Sequence, residues 1–240
     1  MIGLIGGTGF ADFPALTDVR TETVRTPYGD VNTTHGVLEG TDVVFVCRHG
    51  DPPTLPPHSI NYRAIVDALA SLGVTRIYAV NAVGGIDPAL GLADLVIPDQ
   101  IIDYTWGRSH TFYDDSIHHI EFTFPFSESL RQHVIGNADC LEPGVLHAAG
   151  VYGCTQGPRL ETAAEIRRLA QDGCTVVGMT AMPEAALARE RDLEYAGLSV
   201  IVNKAAGLDG EAIDIDGIGA ALKLGVERAR TLIQRCVATH

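Results

Sequence analysis

The chain of 240 residues contains no apolar run near the roughly 20 residues that cross a bilayer. That excludes a membrane-spanning helix and sets aside a membrane partner. Cations are scarce: 17 Lys and Arg stand against 30 Asp and Glu, for a formal net charge of -13. Nucleic acids and anionic membranes need clustered Lys and Arg, so neither is the expected partner. A small anion stays compatible, because a few placed cations can act locally. The cysteines are few and odd in number (Cys47, Cys140, Cys154, Cys174 and Cys236), with no C-x-x-C pair. A disulfide framework and a structural zinc site are therefore not expected. Low-complexity tracts, internal repeats and linkers are also missing, and the start, Met1-Ile2-Gly3-Leu4-Ile5-Gly6-Gly7, has no basic segment of the secretory kind. The expectation is a cytoplasmic protein with thiols kept reduced. What is present, 46% hydrophobic residues over this length, supplies the core of one large α/β domain, 1–240, better than two small ones.

Short β-branched runs alternate with helical patterns. Ile2 to Ile5, Val43 to Cys47, Arg76 to Val80, Leu95 to Ile97, Val176 to Met179 and Leu198 to Val202 read as strands. Their apolar residues do not alternate with polar ones, as befits strands covered on both faces. Helices are predicted at Asn61 to Leu72 (capped by Gly73), at Glu161 to Gln171, from Pro183 to about Arg191, and at Ile218 to Val237. This alternation predicts a central, largely parallel sheet. The stretch from Asp103 to Phe126 fits neither pattern. It holds Trp106 and several His, and reads as a long functional loop.

Chemistry gathers at the ends of the strands. Gly6-Gly7-Thr8-Gly9 follows the first strand, where a glycine turn lets backbone N–H groups approach an anion. The spacing is not that of a dinucleotide fingerprint, which disfavours a nucleotide-dependent oxidoreductase. Arg48-His49-Gly50 follows the second strand, and the Arg fork suits phosphate. Asn81-Ala82-Val83-Gly84-Gly85 follows the third and reads as a small-residue turn. Three such segments at carboxyl ends of strands predict a shared anion site. Met179-Thr180-Ala181-Met182-Pro183-Glu184 adds a hydroxyl at a helix start, and Asn203-Lys204-Ala205 adds a side chain that both donates and accepts. His110, Asp114, Asp115, His118 and His119 have spacing compatible with a metal, but no helix presents them together. They read as a solvated or interface loop, and no metal is expected.

Together with Asn61-Tyr62-Arg63-Ala64 and Gly157-Pro158-Arg159-Leu160-Glu161-Thr162, these motifs, in order along nearly the whole chain, resemble the purine nucleoside and methylthioadenosine phosphorylases. The resemblance implies an α/β fold with a mixed, partly barrel-like sheet flanked by helices, usually in a homotrimer. It implies phosphate-dependent cleavage of an N-glycosidic bond, with phosphate as co-substrate and no organic cofactor or metal. Carried over by motif, phosphate contacts fall on Thr8, Arg48, His49, Asn81, Ala82 and Thr180, and the ribose contact on Met179. Base and substrate contacts fall on Leu160, Glu161, Asn203, Lys204, Ala205 and Ile215. Asn203 and His49 are the implied catalytic residues.

Within that family the adenine-specific enzymes carry an aspartate at the place of Asn203, whereas the 6-oxopurine enzymes carry Asn-Lys there and a Glu matching Glu161. The stretch Ser109-His110-Thr111-Phe112-Tyr113-Asp114 looks like the methylthioadenosine branch, in which a histidine matching His119 reaches a neighbouring subunit's 5' pocket. A methylthioadenosine-like body with an inosine-like base pocket implies S-methyl-5'-thioinosine as substrate. A general inosine and guanosine phosphorylase and a methylthioadenosine phosphorylase are the alternatives.

Overall fold

The computed structural model describes residues 1–10, 13–208 and 218–240. The strands are β1 (Ile2–Gly6), β2 (Thr17–Thr26), β3 (Gly29–Leu38), β4 (Thr41–Cys47), β5 (Arg76–Gly85), β6 (Leu95–Val96), β7 (Gln100–Asp103), β8 (Leu146–His147), β9 (Val151–Cys154), β10 (Val176–Gly178) and β11 (Glu194–Lys204). The helices are α1 (Tyr62–Ser71), α2 (Glu128–Gly136), α3 (Ala163–Gln171), α4 (Ala181–Glu190) and α5 (Ile218–Ala238).

All these strands join one sheet in the order β2-β3-β4-β1-β5-β10-β9-β7, with β11 on β5, β6 on β11 and β8 on β6. The sheet is mixed, as the family resemblance implies and not largely parallel as the strand–helix alternation alone suggests: six of the ten described pairings are parallel and four antiparallel. The cause is local. β2 and β3 are joined by a tight turn from Thr26 to Gly29, which permits only antiparallel pairing. β2 itself is polar and exposed along its length, so no hydrophobic period betrays it.

Alternate residues of the central strands serve two cores. Ile77 and Ala79 of β5 pack with Ile65 and Leu69 of α1 and Ala185 of α4. Tyr78 and Val80 pack on the other face with Val226, Leu232 and Ile233 of α5. This two-sided burial explains the apolar runs of β1, β4 and β11. Helix ends follow the sequence signals. Asn61 accepts from the Ala64 N–H at the start of α1, and Thr162 and Glu165 form a reciprocal capping box on α3.

One strand organises the rest. Along one edge of β5, Arg76 to Ala79 pair with β1, and Gly84 and Gly85 pair antiparallel with β10. Residues 80–83 lie between these two partners, so the sheet divides there. The segment Asn81 to Gly85 is accordingly not a turn, as its small residues suggested. It continues β5, because β11 pairs with it as far as Gly85. At the end of β1 the chain folds back closely. A Cβ on Gly6 would stand 2.0 Å from the Phe10 carbonyl oxygen and 2.8 Å from the Phe45 ring. Gly6→Ala is expected to cost at least about 1–3 kcal/mol, as overpacking against fixed backbone does. The measure is the chemical denaturation midpoint, and an unchanged midpoint would show that this turn relaxes freely.

Candidate active site

The division of the sheet opens a cavity of about 230 Å³. Each wall is the end of an element. The turn after β1 brings Gly7 and Thr8, the end of β4 brings Arg48 and His49, and β5 brings Ala82 and Gly84. β10 arrives from the opposite direction and delivers Met179 and Thr180, while β11 supplies Asn203 and Ala205. Leu160 and Glu161 come from the loop ahead of α3. Thus ten of the residues singled out in the sequence line one cavity: Thr8, Arg48, His49, Ala82, Leu160, Glu161, Met179, Thr180, Asn203 and Ala205.

Others stand back from it. Asn81 is buried and donates from Nδ2 to Thr180 Oγ1 at 2.8 Å, so it orients that hydroxyl rather than lining the cavity. Lys204 contributes its carbonyl, which accepts from Asn203 Nδ2 at 2.7 Å. His119 is exposed on the segment after β7 and does not line this cavity. Ile215 lies outside the described residues.

Arg48 is the most constrained member. Only 1% of its surface is exposed. Its Nε donates to Glu184 Oε2 at 2.9 Å and its Nη2 to Glu184 Oε1 at 2.7 Å, a bidentate pair. Its Nη1 donates at 2.7 Å to the carbonyl of Val80, in the stretch of β5 that lies between β1 and β10. Tyr195 Oη donates to Glu184 Oε1 at 2.7 Å. Burial pulls the Arg48 pKa down, but the charge and hydrogen bonds of Glu184 outweigh it and raise the value above that of an ordinary guanidinium. The cation is therefore permanent. A guanidinium has five N–H donors, so those not spent on Glu184 and Val80 remain for a ligand.

His49 is held differently. Burial lowers its pKa below the ordinary 6.5, and the charge of Arg48 adds to this against a hydrogen bond to the Leu55 carbonyl. That carbonyl only accepts, so Nδ1, at 2.8 Å, carries the proton. Nε2 is the nitrogen left for a ligand.

Asn203 sits at an irregularity. The pairing of β11 with β5 shifts register between Ile201 and Asn203, a bulge that re-aims the side chains beyond it. Glu161 is gripped by its neighbour, with Thr155 Oγ1 donating to its Oε1 at 2.6 Å. Three polar residues at this centre escape a reading of the sequence as site residues: Glu184, Thr155 and Arg108. Arg108 donates to the carbonyls of Met179 at 2.8 Å, Met182 at 2.5 Å and Gln156 at 2.9 Å, tying the segment after β7 to the cavity wall. A signal for Glu184 exists in retrospect: a lone acid in the otherwise uncharged stretch Ala181 to Ala188 must be paired if buried.

The lining is chemically mixed. The hydroxyls of Thr8 and Thr180 and the fixed cation of Arg48 are groups suited to an anion, the amide of Asn203 and the carboxylate of Glu161 are groups suited to a polar ring, and Met179 adds an adaptable apolar surface.

Comparison with known proteins agrees with this geometry. The sequence profile described as "Phosphorylase superfamily" matches residues 1–238. A probable S-methyl-5'-thioinosine phosphorylase of Pseudomonas syringae pv. tomato is 46% identical over 240 residues, covering 98% of this chain and 97% of that protein. A 6-oxopurine nucleoside phosphorylase of Pyrococcus furiosus is 48% identical, covering 88% of this chain and 82% of that protein. Among solved structures, methylthioadenosine phosphorylase from Schistosoma mansoni in complex with adenine superposes with a TM-score of 0.92 at 32% identity, covering 99% of this chain and 91% of that one.

The buried pair yields a stability test. Glu184→Ala leaves the Arg48 charge buried without its partner and is expected to cost about 3–5 kcal/mol. Replacing both residues, Arg48→Met with Glu184→Leu, is expected to recover much of that stability. Urea denaturation reads both, and a Glu184→Ala midpoint equal to wild type would show that the pair does not hold the fold.

Proposed function

The chain belongs to the phosphorylase superfamily, and we propose that it cleaves S-methyl-5'-thioinosine with phosphate to hypoxanthine and 5-methylthioribose 1-phosphate. One observation carries the reading. Glu161 and Asn203 line the same cavity as Thr8, Arg48, His49 and Thr180, so a purine and a phosphate can be held on either side of a sugar against Met179. The names of the relatives support it, since one is a probable methylthioinosine phosphorylase and another a 6-oxopurine nucleoside phosphorylase.

In this reaction the glycosidic C–N bond breaks and its electron pair leaves on the purine. A phosphate oxygen forms the new bond to the anomeric carbon. Phosphate held by Thr8, Arg48, His49, Ala82 and Thr180, with Asn81 behind Thr180, stabilises the cation-like sugar before attacking it. Asn203 donates to N7 of the departing base. No electron is transferred, so the chemistry calls for no redox cofactor. Phosphate is a co-substrate.

Base choice follows from complementarity. A 6-oxopurine offers an N1–H donor to the Glu161 carboxylate, whereas adenine offers a bare acceptor, leaving two acceptors facing one another. A site built on such bonds discriminates by about 10⁴-fold or more. Wild type is expected to require phosphate and to prefer methylthioinosine over methylthioadenosine in kcat/KM. Asn203→Asp is expected to narrow that preference. Base release at equal rates without phosphate would refute the reaction, and a wild-type preference for methylthioadenosine would refute the base assignment. Equal use of inosine would instead favour a general 6-oxopurine nucleoside phosphorylase.

We assign the active form to a homotrimer in which His119 completes a neighbour's pocket at the 5' end of the sugar. The segment that carries His119 exposes Trp106, Ile117 and Phe124, the composition of a surface that another chain covers. A cytoplasmic setting fits five cysteines of which none is disulfide-bonded. Light scattering at assay concentration is expected to give three chains per particle, and His119→Ala to raise KM for methylthioinosine while the particle stays intact. A fully active monomer would overturn the assignment.

A further inference from the structure

Glu161 lines two cavities. One is the active-site cavity, and the other, of about 370 Å³, is bounded by Tyr104, Trp106, Gln156 and Leu169. Thr155 lines only the second, and reaches Glu161 from that side. Its hydroxyl stands 2.6 Å from Glu161 Oε1, against 3.4 Å from its other acceptor, the Gly178 carbonyl. The backbone of Thr155 is held at both ends: its N–H donates to the Gly178 carbonyl at 2.8 Å, and its own carbonyl accepts from Arg108 Nη2 at 3.3 Å. Gly178 is the last residue of β10, immediately before Met179 and Thr180. The hydroxyl that grips Glu161 is thereby fixed relative to the residues facing the sugar and the anion.

We infer that Thr155 is a specificity-determining positioning residue, holding the Glu161 carboxylate as an acceptor for the N1–H of a 6-oxopurine. The inference rests on the reading of the cavity as a 6-oxopurine site. A hydroxyl can give its single proton to one carboxylate oxygen and leaves the other oxygen free for the base. An adenine base, with an acceptor at N1, is tolerated only if the carboxylate turns away or takes up a proton. Turning away gives up the charge-assisted bond from Thr155, so the threonine adds to the penalty on the wrong base. Without it, Glu161 loses the bond that fixes its Oε1 and is free to change rotamer. The signal is invisible in the sequence, since Thr155 and Glu161 meet only because the Gln156-to-Leu160 loop folds back on itself.

The test is kcat/KM for methylthioinosine and methylthioadenosine at saturating phosphate, on wild type and on Thr155→Val, Thr155→Ala, Thr155→Ser and Glu161→Gln. Valine keeps the shape of threonine and removes the donor, and alanine is the second donor-free variant if valine does not fold. Either is expected to lower the ratio of the two values by about tenfold, through KM for methylthioinosine, with KM for phosphate unchanged. Thr155→Ser restores the wild-type ratio, because it restores the proton. A wild-type ratio in Thr155→Val or Thr155→Ala, with a collapsed ratio in Glu161→Gln, overturns the role of Thr155 and leaves the base assignment standing. A serine variant that behaves like valine also overturns it, since packing would then be the cause. If Glu161→Gln leaves the ratio unchanged as well, the 6-oxopurine reading fails and the inference falls with it.

Discussion

A guanidinium buried between diverging strands sets the terms for the rest of this molecule. β1 and β10 share one edge of β5 but leave residues 80–83 between them. Arg48 enters that interval and donates to the Val80 carbonyl there. Its charge is tolerable in the interior only because Glu184 neutralises it with two bonds and Tyr195 supplies a further donor to the carboxylate. Gly7 is tied to the same arrangement, since a Cβ at that position would stand 2.8 Å from both Arg48 Nη1 and the Val80 oxygen. The cation, the glycine turn and the open stretch of β5 are one structural solution, and part of the cavity wall is built on it.

Around that centre, neighbouring contacts convert loose side chains into fixed ones. Asn81 orients Thr180, the Leu55 carbonyl sets the tautomer of His49, and Thr155 holds Glu161. Arg108 ties the backbone at Met179 and Gln156 to a segment that has no regular structure of its own. Thr111 and the Phe112 N–H anchor the same segment on Glu190 at 2.6 and 2.7 Å. Preorganised donors of this kind stabilise charge without having to reorganise during the reaction. The net charge of -13 does not govern this site, because the local field at the cavity is set by groups a few ångströms away.

Elements with strong periodic burial were legible in the sequence. β1, β4, β5, β11, α1, α3 and α5 lie where the apolar runs and caps put them, and Gly73 takes the left-handed φ of +80° expected after α1. β2 was not legible, because a polar strand on an exposed edge has no hydrophobic signature. β3, β7, β8, β9 and α2 also lie outside the predicted elements: β3 is interrupted by polar residues, and β7, β8 and β9 are two to four residues long, a length at which only the plainest apolar runs, such as those at β6 and β10, stand out. The small residues Ala82, Gly84 and Gly85 suggested a turn, yet pairing with β11 draws them into β5. Propensity is a weak prior wherever a partner strand is waiting.

By itself, the sequence determined the strand and helix interiors, the residue types at the strand ends and the identity of the family, since each of these is written in local pattern or in motif order. Which groups would act and which would support them was decided only by the tertiary structure. Arg48 and Glu184 are 136 residues apart and Asn81 and Thr180 are 99 apart. No local signal couples such positions. They meet because long-range strand pairing brings the ends of β4, β5, β10 and β11 to one place, and because a buried charge or hydroxyl there must find a partner across the cavity wall.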